Sequence, residues 1–170
     1  MKRINFLLVA LFTLVLSKAQ SPADDLFDKY AGKEGFTTVY ISKYMFDLFS
    51  NFESTDPEAE EMAEVVRNLT GIKILASEKP DESINFLKEI KKKISTDGYK
   101  ELMIVKEENQ DVQFLVRENE GKISELLLIV SGEGENVLMS IQGNIDMKNI
   151  SKLARALDIE GMDKLENMDK

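Results

Sequence analysis

Glu107, Glu108 and Asp111 crowd one polar break in the second half of the chain, and Glu133 and Glu135 crowd another. If the apolar segments around them form hairpins, alternate turns lie at one end of the sheet and these carboxylates converge. Converging oxygens suit weak calcium binding, since that ion takes about six to eight oxygen ligands. The spacing fits no EF-hand loop, and solvated acidic loops explain it as well. The five residues are therefore candidate cation-binding positions, and no resident metal or cofactor is expected. Glu125 is a second candidate, because it interrupts an apolar run. In such a setting a carboxyl can titrate high and serve as acid or base. The commoner outcome is an outward-facing side chain or a pair with a cation, for which Lys100 and Arg117 are available.

The missing residues restrict the chemistry more than these candidates enlarge it. The chain has neither histidine nor cysteine. Imidazole bases, thiol nucleophiles and the usual zinc and iron ligands are therefore absent. No catalytic motif is recognisable, and the expectation is a protein that is not an enzyme. Lys91-Lys92-Lys93 reads as a solvated face near a helix C-terminus. Asn68-Leu69-Thr70 and Asn149-Ile150-Ser151 match the glycosylation pattern, a match common by chance. Met45, Phe46, Phe49, Phe52, Met62, Phe86, Met103 and Met139 could line an apolar pocket, but their spacing fits core packing better.

The first 19 residues predict where the chain works. Lys2 and Arg3 precede an apolar stretch from Ile4 to Leu16, and Ser17-Lys18-Ala19 has small residues at the positions read by a signal peptidase. The stretch is shorter than the roughly 20 residues of a spanning helix. Residues 1–19 are thus expected to be a cleaved signal peptide. Residues 20–170 are expected to form one domain, exported to the periplasm or secreted, with no stable membrane insertion after cleavage. Loss of Lys2, Arg3 and Lys18 would take the formal charge from −9 to −12. Such a balance opposes nucleic-acid binding, which needs a cationic footprint. An envelope protein or a small ligand is the expected partner. With no disulfide available, about 150 residues must be held by a hydrophobic core, a comfortable size for one domain.

Periodicity supplies the elements. Ser21-Pro22 opens a helix bearing Leu26, Phe27 and Tyr30. Phe36 to Ile41 is a strand, and Ser42 caps a helix expected to bury Met45, Leu48, Phe49 and Phe52. Pro57 starts a helix with Met62, Val65, Val66 and Leu69 on one side, ended by Gly71 before a strand over 72–76. Pro80-Asp81 begins a helix burying Phe86, Leu87, Ile90 and Ile94. Strands over 102–105, 112–116, 123–130 and 137–141 form an antiparallel meander, with a tight turn at Asn119-Glu120-Gly121-Lys122 and the 123–130 strand central. A last helix begins near Asp146, carrying Ile150, Leu153, Ala154 and Leu157. The fold class expected is α+β, a single domain with a mixed, mainly antiparallel sheet and helices mostly on one face. Crossovers in the first half should be parallel or should skip neighbours.

Several segments together resemble a family of exported proteins from Bacteroidota, domain of unknown function 4252. They are Phe27-Asp28-Lys29-Tyr30, Gly35-Phe36-Thr37-Thr38-Val39, Ile41-Ser42-Lys43-Tyr44-Met45, Leu69-Thr70-Gly71-Ile72, Tyr99-Lys100-Glu101-Leu102-Met103, Ile123-Ser124-Glu125-Leu126-Leu127 and Ile141-Gln142-Gly143-Asn144-Ile145. The resemblance implies a small envelope or secreted protein and brings no activity, cofactor or catalytic residue. Some relatives look like lipoproteins; without a cysteine this chain should be released rather than tethered. Three functions are therefore entertained: a non-catalytic binding or structural module of the envelope, a periplasmic carrier of a small apolar ligand, and a carboxylate- or calcium-dependent enzyme.

Overall fold

A computed structural model describes residues 21–51, 55–77, 84–96, 98–132 and 136–146. The element order is α1 (Pro22–Tyr30), β1 (Phe36–Ser42), α2 (Lys43–Ser50), α3 (Pro57–Arg67), β2 (Leu69–Ser77), α4 (Phe86–Thr96), β3 (Tyr99–Lys106), β4 (Gln110–Asn119), β5 (Lys122–Gly132) and β6 (Asn136–Ile145). The strands form one sheet in the order β1-β2-β6-β5-β4-β3, and every pairing is antiparallel. The α+β expectation holds.

The meander stands as expected, with β5 flanked on both sides. Its turn at Asn119–Lys122 has positive φ at Glu120 (51°) and Gly121 (77°). That is the type I′ twist that matches a right-handed hairpin. The first crossover differs from expectation: β1 and β2 are antiparallel neighbours, with Ser42 opposite Gly71. Two helices intervene between them, so the chain returns to the end of the sheet it left, whereas a single helix would have carried it to a parallel strand. The crossover through α4 does skip, running from β2 past β6, β5 and β4 to the far edge. Strand β2 also begins earlier than expected and takes in Leu69 and Gly71, so Leu69 is a strand residue.

The helices pack on both faces rather than mostly on one. Along β5 the two-residue period sends Leu126 and Leu128 to one side and Leu127 and Ile129 to the other, all buried. Phe46 of α2 and Val65 of α3 join the first side. Ala23 and Leu26 of α1, with Phe86 and Ile90 of α4, join the second. An uninterrupted apolar strand needs cover on each face, and distributing the helices provides it.

Within the helices the expected stripes are partly met. Phe86 and Ile90 are fully buried, and Leu87 and Ile94 pack beside them. In α2 the relation is reversed: Phe46 is the buried residue, while Met45, Leu48 and Phe49 are exposed. Phe52, the helix start at Pro80-Asp81, and the last helix with Ile150, Leu153, Ala154 and Leu157 lie outside the described residues.

Candidate functional site

Glu125 is completely buried, on the sheet face that carries Leu127 and Ile129 beneath α1. Strand register builds a polar row around it. Tyr99 of β3 lies opposite Arg117 of β4, Arg117 opposite Glu125, and Glu125 opposite Gln142 of β6. The Tyr99 hydroxyl donates to Glu125 Oε2 at 2.7 Å and Arg117 Nη2 donates to the same oxygen at 2.9 Å. Ser140 Oγ donates to Oε1 at 2.7 Å. The Arg117 guanidinium also lies 5.4 Å from the centre of the Tyr99 ring. The other available cation, Lys100, pairs with Glu118 instead.

The N-terminus of α1 closes this row. Ser21 Oγ accepts from the Asp24 amide, and Asp24 accepts from the Ser21 amide, a reciprocal capping box. Asp24 Oδ1 further accepts from Lys73 Nζ at 2.7 Å and from Gln142 Nε2 at 3.2 Å. Gln142 also donates to Ser140 Oγ, at 3.3 Å. Two acids and two bases are thus interleaved through neutral hydroxyls and an amide. Burial, then the charge of Glu125, pushes the Tyr99 hydroxyl well above the ordinary tyrosine range. Among the described residues no buried side-chain polar atom lacks a partner. A proton-transferring carboxylate needs an oxygen facing substrate. Glu125 has both oxygens engaged and is fully buried, and the row joins α1 to the sheet.

At the end of the sheet where the β3–β4 connection meets the last residues of β5 there is an open cavity of about 440 Å³. Glu107, Glu108, Asp111, Asn85, Gln110 and Ser131 contribute to its lining. The meander therefore brings Glu107, Glu108 and Asp111 together beside Gly132; Glu133 and Glu135 lie outside the described residues. Among the described residues no group of three or more histidine, cysteine, aspartate or glutamate side chains could hold a metal ion. A second cavity of about 380 Å³ lies at the opposite end, between Asn68, Lys122 and Asp146. Of the aromatic and methionine residues read as core or pocket lining, Phe52 lies outside the described residues; Phe46, Phe86 and Met139 are buried, and none of the seven described lines either cavity.

The surface of α2 and β1 was not legible as a site. Tyr44 is 71% exposed, Phe49 63%, Tyr40 58% and Leu48 52%, with Met45 and Val39 also open. Tyr40 opens on the α1 side of the sheet, its ring centre 5.7 Å from Lys73 Nζ, whereas Tyr44, Leu48 and Phe49 share the short helix α2. Single exposed apolar residues are ordinary, but this many on one short helix is the mark of a contact surface. The sequence signal that could have revealed it is length. An eight-residue helix held to the core by Phe46 alone has no second row of contacts to bury its remaining apolar residues.

A family model described as domain of unknown function (DUF4252) matches residues 30–153. No curated protein and no solved structure matches the chain.

Proposed function

The chain belongs to the DUF4252 family, and from that premise we propose an exported, non-catalytic binding module that works through the surface of α2 and β1. The observation that carries the reading is the exposure of Tyr44, Leu48 and Phe49 on a helix whose only buried side chain is Phe46. Export rests on the basic start, short apolar stretch and Ser17-Lys18-Ala19 processing triplet. The sealed surroundings of Glu125 support a structural role for this acid, the one buried in the core among the described residues.

The carboxylate-lined cavity favours a second reading, a carboxylate- or calcium-dependent enzyme, but it gathers no cation-holding group among the described residues. A carrier of apolar ligands needs a chamber lined mainly by apolar side chains, and the two cavities described above, among the described residues, are lined mainly by polar ones.

Pull-down from envelope extract with the mature chain and with its Tyr44→Glu/Phe49→Glu variant tests the reading, with proteins and small molecules both identified by mass spectrometry. A protein retained by the former and lost by the latter is expected. Recovery of one stoichiometric lipid and no protein would overturn it.

A further inference from the structure

The two edges of the sheet are built differently. Strand β3, at one edge, carries Lys100, Glu101 and Lys106 and has a register irregularity between Glu101 and Met103. Charges and bulges of this kind discourage a further strand from pairing. Strand β1, at the other edge, reads Phe-Thr-Thr-Val-Tyr-Ile-Ser: no charge, no proline, and a continuous seven-residue register with β2. Among the described residues no strand lies on its outer side. Helix α2 follows directly, and its two charges, Lys43 and Asp47, neutralise each other at 2.7 Å. The whole edge is therefore electrically neutral on a chain of formal charge −9.

We infer that β1 pairs antiparallel with β1 of a second copy of this chain, making one sheet of twelve strands across a two-fold axis. This rests on the binding-surface reading above and names its occupant. Neutrality selects the occupant: a two-fold contact sets every residue against its own kind, so a charged patch would repel itself and an uncharged one does not. A basic partner, which the overall charge would attract, finds no carboxylate on this strand. An axis normal to the sheet and centred on Val39 sets Val39 against its counterpart and Thr38 against Tyr40 of the partner subunit. The same axis leaves both copies of α2 on one face, one on each side of the seam, with Tyr44, Leu48 and Phe49 open on each. The exposed parts of Tyr40, Tyr44 and Phe49 offer roughly 300–500 Å², taking about 150–250 Å² for a whole aromatic side chain. Met45, Leu48, Val39 and the strand backbone add to this, towards the ~800 Å² per partner of a standard interface.

Sedimentation equilibrium of the mature chain at up to about 100 μM tests the inference. The expected result is twice the chain mass, with β1 amides more protected from hydrogen exchange as concentration rises. Val39→Lys places like charges opposite each other and should raise the dissociation constant at least about tenfold. Circular dichroism of the variant should match that of the parent. Phe49→Glu, on α2, gives a second arm that leaves the strand intact and should weaken the same dimer. A monomer throughout this range, or a dimer indifferent to both substitutions, would overturn self-pairing. A monomer that still captures an envelope protein through Tyr44 and Phe49 would refute self-pairing while leaving the binding-module reading standing.

Discussion

Glu125 stands where the alternation of β5 calls for another leucine, and its partners account for its survival there. Removing one member of a buried ion pair leaves the other without its counter-charge, which is costlier than replacing both. Glu125→Ala should therefore destabilise the fold by about 3 kcal/mol in urea denaturation. Glu125→Leu combined with Arg117→Leu should lose less than that single change; an equal or larger loss would mean the ion pair is not the operative interaction. Tyr99 gives the same cluster a pH signature. Its folded pKa is raised, by burial first and then by the Glu125 charge, so its contribution is complete below the unfolded value near 10 and is lost as pH climbs beyond it. Tyr30 shifts in the same direction, through burial and then its hydrogen bond to Glu89. Lys29 is raised chiefly by its hydrogen bond to Glu89, but its side chain is half exposed and solvent screens the effect. Stability should thus fall as pH rises beyond about 10, and Tyr99→Phe should flatten part of that fall. Parallel pH profiles for parent and variant would assign the loss elsewhere.

At the scale of elements, local chemistry was readable and choice of face was not. Ser21 with Pro22, and Asn119 to Lys122, announce a helix start and a hairpin, because capping and positive φ depend on a few neighbouring residues. The apolar spacing of Met45, Leu48 and Phe49 announces a helix equally well. Yet the side it turns inward is set by how α3 and the sheet receive it, which residues 43–50 do not encode. The polar row under α1 was hidden for a related reason: Asp24, Lys73 and Gln142 come from three distant segments joined only by register. Gly143 shows register acting on a single position. A Cβ there would sit 2.4 Å from the Asn68 carbonyl oxygen and 2.8 Å from Leu69 Cα, both backbone atoms that cannot swing aside. Gly143→Ala should cost about 2 kcal/mol. It should cost more than Gly121→Ala, where φ is also positive but nothing lies within 4 Å. Thermal unfolding of the pair gives the comparison, and equal losses would assign the effect to φ alone.

For the whole molecule, the export proposal makes a direct mass prediction: material recovered from the source cell envelope should begin at Gln20, and intact-mass analysis reads this in one measurement. A chain that keeps Met1 and partitions with bilayers would refute it. The sheet order adds a temporal consequence. Among the described residues β6 is the last strand, yet it lies between β2 and β5 and connects the β1–β2 pair to β3, β4 and β5. A polypeptide emerging amino end first therefore holds two unjoined half-sheets until Ile145 is free, and two of the five strand pairings, β2–β6 and β5–β6, wait on that event. Completion comes all at once, from the carboxyl side, and any nascent chain cut short of β6 remains two fragments with a gap where their keystone belongs.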